Sequence, residues 1–237
     1  MSEATQALYL AVELVISMDA GLVEIVLLSL QVSLLAVAVA CAIGLPLGAL
    51  LGIARFRGRR LLISINNALM GLPPVVVGLA VYLMLSRSGP FGVFGLLYTP
   101  TAMIIAQTLL VLPIVAALSR QTIEDLNAEY DEYLRSLDMR LAGRLKTLLW
   151  DGRASLATAA IAGLGRAIAE VGAVIIVGGN IDHVTRVMTT AIALETSKGD
   201  LALALALGLV LVTIALALNA AVEILRAGAE RKLHAGA

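Results

Sequence analysis

Long apolar runs and their interruptions give this chain its outline. Residues 21–53, 61–86, 99–119, 154–178 and 201–225 are each dominated by Leu, Val, Ile and Ala. Each reaches the ~20 residues a helix needs to cross a bilayer. The first is longer than required, so it tilts or protrudes, and Gly44 and Pro46 predict a kink near its far end. The second carries Gly71-Leu72-Pro73-Pro74 in its middle, where two missing backbone donors predict a break or kink that is either a packing feature or a hinge. Before the third, Thr99 suits an N-cap and Pro100 a first helical position, and Pro113 lies within it. The fourth reads as one helix, followed by a loop over residues 179–200. The fifth opens on LALALALG, too repetitive to specify its own packing.

Two segments depart from this pattern. Residues 1–20 are moderately apolar but carry Glu3, Glu13 and Asp19, which predicts an interfacial amphipathic helix. Residues 121–153 form a polar island in which Tyr130, Tyr133, Leu134, Leu137, Leu141, Leu145 and Leu148 recur at spacings of three and four. One helix face is therefore apolar and the other charged. Such a segment cannot cross a membrane, so it lies on the membrane surface or docks onto a partner.

Composition agrees with a polytopic membrane protein: 60% of the 237 residues are hydrophobic and 14% charged, against roughly 25% charged in soluble domains. The expected fold is an all-α membrane helical bundle of about five transmembrane helices. Net charge is zero, so nothing suggests a nucleic-acid partner. Cys41 is the single cysteine and the two histidines, His183 and His234, are far apart, so neither a disulfide nor a metal site nor a cofactor is expected. Arg55 is the first Lys or Arg, which argues against a cleavable signal peptide. With the N-terminus outside, thirteen of the seventeen Lys and Arg fall on the inner side, three on the outer, and Arg166 within a span. This asymmetry places the island in the cytoplasm.

Polar residues inside spans are costly and have reasons to be there. Arg166 and Glu170, four apart, share a face of the fourth span and can pair, either lining a pathway or locking the span to its neighbours. Gly163, Gly165, Ala169, Gly172 and Ala173 give that span a small-residue face suited to close helix contact. Gly178-Gly179-Asn180 reads as its C-cap. Asn66, Asn67 and Gln107 line a polar path or, as buried amides more often do, bind helices together. No G-x-x-x-x-G-K-[ST] loop is present, and no G-x-S-x-G or H-E-x-x-H motif. The chain is therefore expected neither to hydrolyse ATP nor to be an intramembrane hydrolase, and to have no catalytic residues.

The island resembles the cytoplasmic EAA loop of binding-protein-dependent ABC importer permeases. Glu132 holds the position of the motif's Glu, Tyr133 and Leu134 stand where two alanines are usual, and Asp138 stands where the family has glycine. That departure suggests Gly143 as the turn, between helices at about 121–140 and 144–150. Leu148, Leu149, Trp150 and Asp151 replace the motif's later Ile-x-Leu-Pro portion. The segments 165–200, 71–92 (GLPPVVVGLAVYLMLSRSGPFG) and 43–48 (IGLPLG) are similar to tungstate importer permeases, close relatives of the molybdate permeases.

The resemblance implies a homodimeric permease in the cell membrane, seated on two cytoplasmic ATPases and fed with tungstate or molybdate by an external oxyanion-binding protein. Residues 1–20 would be the outer interfacial helix, 21–225 the transmembrane domain with its coupling loop at 120–153, and 226–237 a cytoplasmic tail. Glu132, Tyr133, Leu134, Leu137, Asp138 and Leu141 would couple to the ATPase, with Asp131, Arg135 and Arg140 at the rim. Arg166, Glu170, Gly178, Gly179 and Asn180 would line the anion route and its outer gate, and Gly71, Pro73 and Pro74 would form a hinge. The fourth span would sit at the dimer axis, and the polar residues of 182–198 would meet the binding protein. Sulfate is the alternative cargo. A stand-alone secondary transporter is the alternative class, for which Glu170 is the one clear coupling carboxylate.

Overall fold

The computed structural model describes residues 3–235, with side-chain environments for residues 5–224. Among these the structure is all-helical: α1 Glu3–Ile16, α2 Ala20–Ile53, α3 Arg59–Met70, α4 Pro74–Leu85, α5 Pro100–Glu129, α6 Asp131–Ser136, α7 Leu141–Asp151, α8 Arg153–Ile168, α9 Gly172–Gly178, α10 Met188–Lys198 and α11 Leu201–Ala235, with a 3-10 turn at Gly92–Phe94. Three helices are long and apolar enough to cross a membrane, and counting the pairs α3–α4 and α8–α9 as one broken span each makes five. Three of the five expected spans are single helices, and the other two are pairs bent by 101° and 61°. Helix α11 continues through most of residues 226–237, where a separate tail was expected.

The described chain divides into two compact units. One comprises the chain through Ala36, Pro73–Gln107 and Ala167–Asn219; the other comprises Val37–Leu72, Thr108–Arg166 and the chain from Ala220 onward.

In the second unit, α2 runs without interruption through Pro46, and the expected kink there is not a break in the helix. Gly48 instead allows α5 to lie against it. A Cβ at Gly48 would stand 2.3 Å from the Ala116 carbonyl oxygen and 2.7 Å from Ser119 Cβ, so no larger residue fits. Ser119 Oγ donates to the Leu45 carbonyl at 2.8 Å, and buried Asn66 donates from Nδ2 to the Pro113 carbonyl at 3.0 Å. Asn66 is therefore interhelical glue, whereas Asn67 faces outward.

Helix α3 ends at Met70 and α4 begins at Pro74, with Pro73 extended at φ −61°, ψ 127°. The reason is local: Pro73 and Pro74 lack N–H groups, and Pro74 fits the first helical position. Thr99 caps α5, its Oγ1 accepting from the Ala102 amide at 3.4 Å, and the same helix then extends ten residues past the expected end of the span.

In the first unit, α4 and α9 pack closely. A Cβ at Gly78 would lie 2.7 Å from Ala173 Cα, and one at Gly172 would lie 2.8 Å from Val75 Cγ2. The small residues of the fourth span thus do serve close contact, though against α4. Gly163 meets Val111 within the second unit, while Gly165 faces open space.

Candidate functional site

The island is a folded helical hairpin, shaped by α5, α6 and α7. Ile123, Leu134 and Leu148 are at most 1% exposed and pack with Ala49 of α2, ringed by Ile53, Leu126, Tyr130, Met139, Leu145 and Leu149. The apolar stripe therefore divides. Leu134 and Leu148 point into this core, whereas Tyr133, Leu137, Leu141 and Trp150 are 67%, 53%, 44% and 68% exposed. Leu134 is a scaffold residue, which corrects its expected place on the docking face. Glu132 and Asp138 are exposed beside the outward set.

The turn of the hairpin is at Asp138, not Gly143. Asp138 adopts the left-handed conformation at φ 46°, while Gly143 lies inside α7. Asp is among the few non-glycine residues that tolerate this region, because its short side chain can hydrogen-bond locally. The position where the resembled family has glycine thus keeps the backbone that glycine provides. The expected single helix over 121–140 is accordingly replaced by the end of α5, a short α6 and this turn.

Arg144 fastens the three elements together. Its Nη2 donates to Asn127 Oδ1 at 2.9 Å and to Asp131 Oδ1 at 3.0 Å, and Arg135 pairs with the other Asp131 oxygen at 2.7 Å. The Arg144 hydrogen bond, aided by Arg135, holds the Asp131 carboxyl below its ordinary range. Asp131 was expected at a docking rim and is instead engaged within the hairpin. Glu124 pairs with Arg120 at 2.5 Å and also with Arg59. Sequence spacing shows the Asp131–Arg135 pair but not Arg144, thirteen residues on, because that contact requires the hairpin.

The second cluster surrounds α9 and α10. Helix α8 stops at Ile168, so Arg166 and Glu170 do not share a face of one unbroken helix as expected. Arg166, half-buried, occupies the last turn of α8, where the helix dipole favours a cation. Glu170 is 4% exposed, and its Oε1 accepts from the Ala173 amide in the first turn of α9 at 3.0 Å. That bond satisfies one of the donors left free where a helix restarts.

The expected C-cap is present: Gly179 closes α9 at φ 73°, and its amide donates to Ile175 O at 3.0 Å. A Cβ there would sit 2.8 Å from the Tyr98 ring. Gly178 is buried, its carbonyl accepting from Thr185 Oγ1 at 2.6 Å. Asn180 Oδ1 accepts from Thr190 Oγ1 at 2.8 Å. Thr189 Oγ1 donates to the Glu170 carbonyl at 2.8 Å, and Ser29 Oγ of α2 accepts from the Met188 amide at 2.7 Å. Buried Gln107 donates to the Ala167 carbonyl at 3.1 Å.

Residues 188–198, expected as loop, are therefore a helix, gathered into the unit by hydroxyls. The polar residues of 182–198 are also more engaged than a docking loop requires: Arg186 pairs with Asp182 at 2.7 Å and Lys198 with the buried Glu195 at 2.9 Å. His183 Nδ1 lies 2.8 Å from Glu24 Oε2. That hydrogen bond, with the negative charges of Glu24 and Asp182, raises the His183 pKa.

A family model described as "Binding-protein-dependent transport system inner membrane component" matches residues 44–233. The chain is 43% identical over 219 residues to the tungstate uptake system permease protein TupB of Peptoclostridium acidaminophilum, covering 91% of this chain and 95% of that one. It is 41% identical over 185 residues to a probable anion ABC transporter permease protein of Haloferax volcanii, covering 76% and 80%. It is 30% identical over 156 residues to the sulfate transport system permease protein CysT of Salmonella typhimurium, covering 62% and 55%.

Proposed function

The chain belongs to the family of binding-protein-dependent transport system inner membrane components, and from that membership we propose that it is the permease of an ATP-driven tungstate importer. Tungstate is favoured over sulfate because the tungstate permease relative is the more similar and spans nearly the whole chain. Molybdate, a tetrahedral oxyanion of the same charge, makes nearly the same demands on a pathway.

The observation that carries the mechanism is the divided stripe of the island. Tyr133, Leu137 and Leu141 stand out from a hairpin whose interior is already filled by Leu134 and Leu148. An exposed aromatic and aliphatic ridge on a rigid base suits a groove on a partner. That partner is an ATPase subunit, with Glu132 and Asp138 at the rim of the contact and Arg135 and Arg140 adding charge. Two copies of the chain form the pathway. ATP-driven approach of two ATPases moves the hairpins, and each hairpin transmits the movement because Arg144 and the buried leucines keep it in one piece.

In the second unit, Arg166 compensates the passing dianion; in the first unit, Glu170, Gly178, Gly179 and Asn180 act as positioning residues that fix the α9 half-helix. Conduction requires weak binding, and a single cation in the last turn of a helix fits that need. Gly71, Pro73 and Pro74 serve as the hinge between α3 and α4. An external binding protein selects the anion and delivers it.

The test is uptake by vesicles containing this chain, its ATPase and its binding protein. Tungstate accumulation that requires ATP is expected. Accumulation driven by an ion gradient, with this chain alone and no nucleotide, would contradict the proposal.

A further inference from the structure

Between α2 and the start of α8, within the second unit, lies an open cavity of about 430 Å³. One wall is Ala42, Leu45 and Pro46; the other is Leu156, Ala157 and Ala160; among the described residues Arg153 is the only charged one lining it. Arg153 is the first residue of α8, and Ala160 lies about 10 Å further along the axis at 1.5 Å per residue. The cavity is thus an open apolar slot that leads from Arg153 along the first turns of α8.

The mouth of the slot is built for an interface. Arg153 Nη1 donates to the Trp150 carbonyl at 2.7 Å, and its guanidinium sits 4.8 Å from the centre of the Trp150 ring. Tryptophan and arginine side by side at a span's end mark the headgroup level of a membrane. The charge asymmetry assigns that level to the cytoplasmic leaflet. Arg59, Arg120, Arg135 and Arg144 are each committed to a carboxylate. Arg153 is held only by a neutral carbonyl and a ring face, which fix its direction while its charge stays available.

We propose that this slot binds one anionic phospholipid of the inner leaflet, its phosphate on Arg153 and an acyl chain lying between Leu45 and Ala157. Complementarity has two parts: an arginine donor set for the phosphodiester, and an apolar trough, walled by small residues, for the chain. Free phosphate satisfies only the first part and is not retained. The site adjoins the base of the island through Leu149, so the lipid is a structural ligand of the region that carries the hairpin. The lipid site does not depend on which anion is transported.

The experiment uses the full chain purified in mild detergent and titrated with phosphatidylglycerol or phosphatidylcholine, with bound lipid counted by native mass spectrometry. One tightly held phosphatidylglycerol per chain is expected, with phosphatidylcholine weaker and inorganic phosphate unable to displace it. Arg153→Glu should weaken phosphatidylglycerol by more than the about fivefold worth of one arginine at an anionic surface. Ala157→Phe should remove the lipid by filling the trough while the chain's oligomeric state stays as in the wild type. Ala42→Leu, from the opposite wall, repeats this test should Ala157→Phe fail to fold. Equal retention of the two lipids, or an unchanged affinity in Arg153→Glu, would overturn the proposal. So would an Ala157→Phe or Ala42→Leu variant that keeps its lipid but loses a protein contact, since a second copy or a partner subunit would then be what fills the slot.

Discussion

The hairpin of α5, α6 and α7 and the cluster around α9 and α10 are both short helices held in place by side chains, but by different chemistry. The hairpin uses a small leucine core and ionic clasps, with Arg144 and Arg135 on Asp131 and Arg59 and Arg120 on Glu124. The interior of the α9–α10 cluster uses neutral donors, with Thr185, Thr189, Thr190 and Gln107 bonded to carbonyl groups, and its ion pairs, Asp182–Arg186 and Glu195–Lys198, each keep one partner exposed. The difference follows from solvent. Ions facing water keep most of their hydration while they pair, whereas a charge taken into a span incurs a large desolvation cost and a hydroxyl a small one. Glu170, buried at the α8–α9 break, is hydrogen-bonded to the amide of a restarting helix, and buried Glu195 pairs with Lys198.

This contrast can be broken one side at a time. Leu148→Ala should have the largest effect: it opens a cavity at a fully buried site and should cost about 2–5 kcal/mol. Hydrogen exchange should then rise in α6 and α7 and stay unchanged in α9 and α10. Gly78→Val should do the reverse. Its Cβ would meet the Ala173 backbone, which cannot yield, and overpacking should cost about 1–3 kcal/mol. The thermal midpoint should fall, with exchange rising in α4 and α9 alone. Asp138→Ala should cost about 1 kcal/mol, because alanine has no local hydrogen bond to offset a left-handed backbone. Asp138→Gly should leave the thermal midpoint at or above that of the wild type.

The smallest effects are those of pH, and they have opposite signs in the two regions. The Asp131 pKa is lowered in the folded chain. Its clasp is therefore fully present above the ordinary carboxylate pKa and is lost as pH falls through the lowered value. The His183 pKa is raised by Glu24. Its tether is fully present below the ordinary histidine pKa and is lost as pH rises through the raised value. Between about pH 5 and 8 only the histidine titrates. Exchange at residues 181–186, corrected for intrinsic rates, should thus increase with pH over this range, and His183→Ala should remove the dependence. Exchange in α6 should show no such trend.

Much of the frame was legible because it depends on local rules. Span lengths follow from apolar runs, the α3–α4 break from Pro73 and Pro74, the start of α5 from Thr99 and Pro100, and the end of α9 from Gly179. The remainder depends on partners distant in the chain. Ala169-Glu170-Val171 carries no helix breaker, and only the fold shows Glu170 turning back to the α9 amide. Residues 188–198 read as loop, whereas Thr189 bonds to the Glu170 carbonyl, Thr190 to Asn180 and Val187, and the Met188 amide to Ser29 of α2. A single stripe on the island predicts one apolar face. Once the chain turns at Asp138, the same stripe sends Leu134 and Leu148 into a core and leaves Leu137 and Leu141 outside. Glycine was the obvious residue for that turn, and aspartate supplies it through a conformation that few other side chains accept.

The central claim is that the outward ridge of this hairpin is a handle for an ATPase, and it is tested most directly by co-purification of the chain with its ATPase subunit. Leu137→Asp lies on the exposed ridge and outside the buried core, so the variant should fold, keep its thermal midpoint and lose the ATPase. A Leu137→Asp chain that folds and retains the ATPase in full amount would contradict the account.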